Sequence, residues 1–143
     1  MNHERLRVHG SKFSKWIGAR FYVEADGSIT ATAVLREEHG GPPTYTHGGV
    51  LAALIDEAMG AAAWHAGHKS FAVNLNFNYR QPVPPYVEVR VSARIDHIEG
   101  RKAFTSGALM LPDGTVAVEG TGIFVAVADL PDDSGFQFIE TVE

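Results

Sequence analysis

The segment YTHGGVLAALIDEAMG, residues 45–60, places groups that could do chemistry inside a strongly apolar stretch. Its alanines, leucines and methionine favour a helix over about 47–66, and Thr46 is the predicted N-cap. Gly48 and Gly49 then lie in the first turn, where backbone N–H groups have no partner within the helix. Such donors, together with the positive end of the helix dipole, bind anions or polarise a carbonyl group.

Asp56 is the candidate acid of this predicted helix. A period of 3.6 residues places it on a side formed by small residues, namely Gly49, Ala52, Ala53, Gly60 and Ala63. A ligand or another backbone can approach such a side, so the carboxyl group is expected in a narrow cleft. Removal from water raises the pKa of a carboxyl group, which suits it to base chemistry near neutral pH. Glu57 is turned away by about 100° and is the lesser candidate, expected to pair with an arginine of a strand.

The glycine pair and the acid are too far apart to act on one bond within a single helix. Asp56 follows Gly49 by about two turns, which is roughly 10 Å along the axis. A substrate held between two subunits could meet the helix start of one chain and the acid of the other.

The elements before this helix are predicted to be two strands. Residues 16–24 and 28–36 read as strands joined by a tight turn at Asp26-Gly27. The stretch EEHGGPPTYT, with two glycines and two prolines, is predicted to be a loop.

Four strands are predicted after the helix. In FAVNLNFNYR the apolar residues alternate with polar ones, which indicates a half-buried strand with Phe71, Val73, Leu75, Phe77 and Tyr79 on one face. Similar alternation continues through 86–98, 101–111 and 115–128, with turns at Glu99-Gly100 and Asp113-Gly114, and predicts three successive hairpins. The chain is therefore expected to form one α+β domain over 1–143, with one helix wrapped by one sheet. Residues 1–15 and 129–143 are expected to be peripheral, loosely ordered, or docked through Phe136 and Phe138.

Composition excludes several classes of protein. The formal charge of −5 and a pI near 5.8 argue against a general nucleic-acid or anionic-membrane binder. The absence of cysteine excludes disulfides, a thiol nucleophile and a cysteine zinc site. The polar start and the acids within the longest apolar stretch give neither a signal peptide nor a membrane span, so a cytoplasmic protein is expected.

The motifs carry a resemblance to a known family. HGGVLAALIDEAMG is similar to the histidine-glycine-glycine helix of hotdog-fold acyl-CoA thioesterases of the phenylacetate-degradation type. GPPTYTHGG, VNLNFNYRQPVP and IDHIEGRKAF resemble segments of the mitochondrial long-chain acyl-CoA thioesterases, and the likeness covers about residues 40–127. It implies a hotdog fold, with one long central helix wrapped by a curved antiparallel sheet of about six strands. It also implies hydrolysis of acyl-CoA to free acid and CoA, a homodimer or dimer of dimers with interfacial sites, and no cofactor beyond the CoA of the substrate.

The resemblance also assigns catalytic roles. It implies that Asp56, nine positions after His47, acts as nucleophile or as general base, and that the N–H of Gly49 polarises the thioester carbonyl. His47 either assists that donor or is a structural residue between loop and helix. Ala72 stands where the long-chain relatives carry a catalytic threonine, which leaves Asn74 or Ser70 as candidates to position water.

The charges of CoA require a local basic site on a net-acidic chain. Arginine forms bidentate hydrogen bonds to phosphate oxygens, lysine supplies a point charge, and strand backbone can align the pantetheine amides. Positions matching substrate contacts of the relatives are Asn78, Arg80, Arg101, Lys102, Ala103, Phe104, Thr105 and Ser106. Asn74 is a further predicted substrate-binding residue. His65 and His68 lie three apart without a third ligand in spacing, so no metal site is assigned.

Two alternatives to a thioesterase are considered. The first is a non-catalytic acyl-CoA-binding or regulatory hotdog domain, which Ala72 favours. The second is an enoyl-thioester hydratase of the same fold. Related hydratases have an aspartate followed five positions later by histidine, and no such pair occurs here. The hydratase therefore ranks last.

Overall fold

A computed structural model describes residues 4–41, 44–131 and 135–142. Within them eight strands form one antiparallel sheet in the order β4-β7-β6-β5-β3-β2-β1-β8. The strands are β1 (Glu4–His9), β2 (Arg20–Val23), β3 (Ile29–Val34), β4 (Ser70–Tyr79), β5 (Glu88–Glu99), β6 (Lys102–Met110), β7 (Val116–Ala126) and β8 (Gln137–Val142). The helices are α1 (Lys12–Ile17), α2 (Gly48–His65) and a 3₁₀ turn at Glu37–His39.

Helix α2 packs on one face of this sheet and contacts β3 to β7. Leu54, Ile55 and Met59 are fully buried in that contact. The helix comes so close to β6 that a Cβ atom on Gly107 would lie 2.9 Å from the Ile55 side chain. The predicted α+β architecture of one long helix against one antiparallel sheet is therefore confirmed, although the sheet has eight strands rather than about six.

The first predicted strand is wrong at its start. The sequence predicts a strand over 16–24, but residues 12–17 form α1, and β2 begins only at Arg20. Ser11 caps α1 by accepting a hydrogen bond from the Ser14 N–H, and Gly18 ends it with a φ of 75°. These local capping signals prevail over the strand propensity of the aromatic residues in the segment.

The ends of the described chain form the far side of the sheet. β1 pairs with β2 and with β8, so the parts of 1–15 and 129–143 that the structure describes include paired strands at the periphery. The Phe136 ring meets Trp64 of α2 edge to face, and Phe138 lies against His65, which is the docking that the sequence predicts. Residues 1–3, 132–134 and 143, and Pro42 and Pro43 of the predicted loop, lie outside the described residues.

The prediction of three successive hairpins is wrong at β4. This strand pairs with β7, not with β5, whereas β5 pairs with β3 and β6. The prolines at 82, 84 and 85 separate β4 from β5 and prevent a tight turn. β4 consequently forms one edge of the sheet and is mostly exposed, rather than half-buried.

A β-bulge at Val73 divides the predicted apolar face of β4. The register shifts between Ala72 and Asn74, so that Leu75, Phe77 and Tyr79 face the α2 side with Ala72. Phe71 lies opposite Val125 on the outer face instead. Neither helix within the described ranges is long and apolar enough to span a membrane.

Candidate active site

The N-cap of α2 is His47 rather than the predicted Thr46. The imidazole Nδ1 of His47 accepts a hydrogen bond of 2.9 Å from the Gly49 N–H. Thr46 is buried, and its N–H donates to the carbonyl oxygen of Val83. The Gly48 N–H makes no hydrogen bond to any residue that the structure describes. In this structure His47 therefore caps the helix, and of the two predicted donors only Gly48 is open.

Tyr79 holds the start of α2 against the end of β4, a role that sequence reasoning missed. Its hydroxyl donates to the Gly48 carbonyl oxygen at 2.7 Å, and a Cβ on Gly48 would lie 3.4 Å from the ring. Burial raises the pKa of Tyr79 above its usual value, which keeps the hydroxyl protonated as a donor. Strand alternation alone carried no signal for this contact.

Asp56 is half-buried on the small-residue side of α2, as predicted. Its neighbours Ala52 and Ala53 are only partly covered, and Gly49 is exposed, so this side of the helix remains open. Its carboxyl group makes no hydrogen bond to the described part of the chain. Burial, and secondarily the charge of Glu57, raise the pKa of Asp56 to about 6. The result is an accessible carboxylate that is more basic than an ordinary aspartate.

Glu57 pairs with no arginine of a strand among the side chains that the structure describes. Its Oε1 accepts a hydrogen bond of 2.6 Å from the Ser11 hydroxyl, and its Oε2 accepts one of 3.1 Å from Ser14. The expected ion pair is therefore replaced by two hydroxyl contacts from the α1 segment, which no pattern in the sequence indicated.

The predicted ligand residues of β4 lie on the outer face of the sheet. Asn74 and Asn78 are exposed there, and Asn74 accepts a hydrogen bond from the Asn76 side chain. Arg80, just after the strand, forms an ion pair of 2.8 Å with Glu119. Within one chain these groups face away from Asp56.

The run from Arg101 to Ser106 is divided between the two faces of the sheet. Ala103 and Thr105 are buried on the α2 side, and Thr105 donates to the Gly122 carbonyl oxygen. Phe104 stacks on His97 on the outer face, where Ser106 donates to Asp96. β6 pairs on both sides, so the backbone of this run is engaged within the sheet. Arg101 and Lys102 are exposed at the turn and remain available to an anion.

The predicted substitutes for the missing threonine do not reach Asp56. Ser70 is buried and its hydroxyl donates to the His68 carbonyl oxygen. Asn74 lies on the outer face, whereas Ala72 lies on the α2 side without a polar atom. The imidazole Nε2 of His68 lies 2.9 Å from the Arg101 carbonyl oxygen, which engages it with backbone. No cluster of three or more metal-ligating side chains occurs among residues 4–41, 44–131 and 135–142.

A groove of about 460 Å³ on the outer face lies between the β2–β3 turn, β5, β6 and β7. Its lining includes Asp26, Arg94, Ser106 and Glu119 and contains no residue of α2. It is therefore separate from the Asp56 carboxylate, and we place the candidate site on the open side of α2.

Comparison with known proteins places the chain among thioesterases. Residues 44–118 match the thioesterase superfamily. The acyl-coenzyme A thioesterase THEM4 of Bos taurus is 36% identical over 119 residues, which are 79% of this chain and 48% of that protein. The chain spans 35–48% of the length of the curated relatives that it matches.

Solved structures agree on the fold. The crystal structure of a thioesterase superfamily protein has a TM-score of 0.71 and 32% identity, over 75% of this chain and 53% of that one. The PaaI protein of E. coli, from the phenylacetic acid degradation operon, has a TM-score of 0.77 over 82% of this chain and 86% of its own. Its sequence identity to this chain is 16%, so this comparison shows similarity of fold alone.

Proposed function

The chain belongs to the thioesterase superfamily and has its hotdog fold, and from this premise we propose that it hydrolyses acyl-CoA thioesters to a free acid and CoA. The observation that carries the proposal is the Asp56 carboxyl group, which is half-buried, open to a ligand, and has a pKa raised to about 6. The name of the Bos taurus relative supports an acyl-CoA as the substrate.

Asp56 serves as the general base in this proposal. At neutral pH it is ionised, and it takes a proton from water as the water oxygen attacks the thioester carbonyl carbon. The tetrahedral intermediate then expels CoA as a thiolate, a good leaving group because a thiol has a pKa of about 8.5. In the competing route an Asp56 oxygen attacks directly and forms an anhydride. Single-turnover hydrolysis in ¹⁸O-water separates the routes, because water that opens the anhydride at the Asp56 carboxyl carbon leaves label in the protein.

The start of α2 polarises the thioester carbonyl. The Gly48 N–H is open to a substrate oxygen, whereas the Gly49 N–H donates to His47. The oxygen can use Gly49 only by replacing the His47 Nδ1 atom. An aligned donor in a site without water supplies several kcal/mol of stabilisation to the developing oxyanion.

Two subunits complete the site. Asp56 and Gly49 are roughly 10 Å apart along α2, so one scissile bond cannot contact both in one chain. β4 offers an edge of ten residues with Phe71 and Val73 more than half exposed. An uncovered apolar edge of this length can pair with another strand. Pairing with the β4 of a second copy gives hydrogen-bond partners to its free backbone N–H and C=O groups. The exposed Arg101 and Lys102 side chains, and Asn78 and Arg80 near that edge, then meet the phosphates of CoA.

We expect Asp56→Ala and Asp56→Asn to lower kcat/KM for CoA release from a panel of acyl-CoAs by at least about 10²-fold, the usual contribution of a general base. Wild-type activity should fall as the pH drops through about 6, where the raised pKa protonates Asp56. Asp129→Asn is the control, because Asp129 is exposed with a φ of 66°, which asparagine also adopts.

Unfolding measurements on the Asp56 variants distinguish a loss of catalytic activity from a loss of folded protein. Because the folded-state pKa of Asp56 is raised from 3.8 to about 6, its ionisation costs stability at neutral pH, and this cost shrinks as the pH falls from about 6 toward 3.8. Asp56→Asn should therefore be at least as stable as the wild type at pH 7. Equal turnover in wild type and both Asp56 variants would overturn the proposal.

The second candidate is a domain that binds acyl-CoA without hydrolysing it. Ala72 favours it, because on the α2 side of β4 it supplies no hydroxyl group. Saturable binding of acyl-CoA by calorimetry, with no CoA release over hours, would identify this function.

A further inference from the structure

Positive charge is concentrated near the start of the described chain. Residues 6–20 contain four arginines and lysines and no acidic residue, whereas the whole chain has a formal charge of −5. The segment covers the end of β1, all of α1 and the first residue of β2, and it lies outside residues 44–118, which match the family. A strongly basic segment in an acidic protein is suited to binding an anion.

The basic side chains of this segment surround one cleft. Arg7 and His9 of β1, and Lys12 and Lys15 of α1, line a space of about 200 Å³ where the strand leads into the helix, and its lining contains no acidic residue. None of the four forms an ion pair with an acid among the side chains that the structure describes. The α1 cleft, as we call it, therefore offers three positive charges and an imidazole to a ligand.

Contacts with the rest of the molecule hold the α1 cleft in shape. The hydroxyl groups of Ser11 and Ser14, which also line it, donate to the two carboxylate oxygens of Glu57 in α2 at 2.6 and 3.1 Å. A Cβ on Gly10 would lie 2.8 Å from the ring of Phe136, so the backbone packs closely there. An anion that binds in the cleft thus meets a backbone that is already ordered, which lowers the cost of binding.

A phosphate group is the anion that suits these side chains best. Because α1 has only six residues, the positive charge of the cleft comes from side chains and not from a helix dipole. Arginine forms bidentate hydrogen bonds to phosphate oxygens, and lysine supplies a point charge. A phosphate monoester carries up to two negative charges on three oxygens, so it can meet several of these cations at once, whereas a carboxylate has one charge to share.

The cations that the sequence predicts for CoA phosphates are more engaged. Arg80 forms an ion pair of 2.8 Å with Glu119, and the Nε atom of Arg101 donates to the Ala126 carbonyl oxygen at 3.3 Å. We propose that the α1 cleft is a phosphate-binding site of this protein. The phosphate can belong to a free anion or to the CoA part of an acyl-CoA, and only the second source rests on the proposed hydrolysis.

Titration with inorganic pyrophosphate tests the site. We expect the amide NMR signals of residues 7–19 to shift, and calorimetry to show at least about tenfold weaker binding by the double variant Lys12→Gln, Lys15→Gln, which lacks two of the charges. Both lysines are exposed, so glutamine should leave the fold intact, and thermal unfolding checks this. The control is Arg90→Gln, Arg94→Gln, which removes two exposed cations of β5 and makes the same change in net charge. Its affinity should stay within about twofold of wild type.

Two further ligands distinguish the source of the phosphate. CoA that binds more tightly than pyrophosphate, and more weakly to the lysine variant than to wild type, identifies the CoA phosphates. CoA that binds equally to both proteins, while pyrophosphate binding is lost in the variant, identifies a free anion. Phosphatidylglycerol vesicles are the third ligand. Vesicle binding that depends on Lys12 and Lys15, without binding of either soluble phosphate, would overturn the proposal and make α1 a membrane-surface segment.

Equal pyrophosphate affinities of wild type and the folded lysine variant would also overturn the proposal, as would amide shifts confined to residues outside 7–19. A wild type that binds none of the three ligands would do the same. None of these measurements depends on turnover. A chain that releases no CoA from any substrate would therefore contradict the proposed hydrolysis and leave the result for the α1 cleft unchanged.

Discussion

At the scale of single residues, the start of α2 has two uses for one hydrogen-bond donor. His47 caps the helix by accepting from the Gly49 N–H, which satisfies a donor that would otherwise lack a partner. A thioester oxygen that is to be polarised by Gly49 as well as by the open Gly48 N–H needs the same hydrogen. The cap stabilises the resting helix, and the substrate gains this donor only when the imidazole turns aside.

This competition predicts the behaviour of two His47 variants. Asparagine is a good N-cap, so His47→Asn should change the free energy of unfolding by less than about 0.5 kcal/mol and kcat by no more than a few-fold. His47→Ala removes the cap and should cost about 1 kcal/mol in denaturant unfolding. A loss of 10²-fold in kcat for His47→Asn at unchanged stability would show that the imidazole itself acts on the substrate.

At the scale of elements, the C-terminal segment completes the core on the side of α2 near Glu57. Phe136 lies against Trp64, and a Cβ on Gly60 would lie 3.4 Å from its ring. The small residue at 60 therefore makes room for an aromatic ring from the segment that leads into β8. The side of the helix that carries Asp56 thus changes along its length, from open at Gly49 to covered at Gly60.

Phe136→Ala should accordingly destabilise the fold. The ring is half-buried, so we expect a loss of roughly 2 kcal/mol, below the range for a fully buried phenylalanine. Ile139→Ala in β8 is the comparison, and because Ile139 is 44% exposed its loss should stay under about 1 kcal/mol. Chemical denaturation measures both, and equal stabilities of Phe136→Ala and wild type would contradict the packing role.

Elements with strong local patterns could be read from the sequence, whereas those set by distant contacts could not. Helix α2 and the turns at Glu99-Gly100 and Asp113-Gly114 follow from periodicity and turn residues. The edge position of β4 and the bulge at Val73 depend on which strand it pairs with, and alternation does not specify that.

The same limit applies to the candidate site. Asp56 was identified because the small residues around it repeat with the helical period. The partners of Glu57 lie more than 40 residues away, at Ser11 and Ser14, and the contact of Tyr79 with Gly48 spans 31 residues. Residues 101–106 are consecutive in the family motif. Because successive residues of a strand point to opposite faces of the sheet, their side chains nevertheless divide between the two faces.

At the scale of the whole molecule, the two edges of the sheet differ. Both edge strands, β4 and β8, have a partner on one side only within the described sheet, but β4 is ten residues long and β8 is six. The exposed side chains of Phe71, Val73 and Tyr79 make β4 apolar. The strand contains no lysine or proline, the residues that oppose pairing of an edge strand with another chain. This difference supports the proposed dimer through β4.

Val73→Lys tests that assembly. Val73 is 62% exposed in one chain, so lysine should leave the fold of the protomer intact while it places two cations at the paired edges. We expect light scattering at micromolar concentration to show a monomer, with turnover at least tenfold lower because the Asp56 of one chain loses the helix start of the other. Ile98→Lys, at an exposed position near the end of β5, should remain a fully active dimer. A Val73→Lys dimer with wild-type turnover would place the interface elsewhere, and a fully active monomer would mean that one chain holds a complete site.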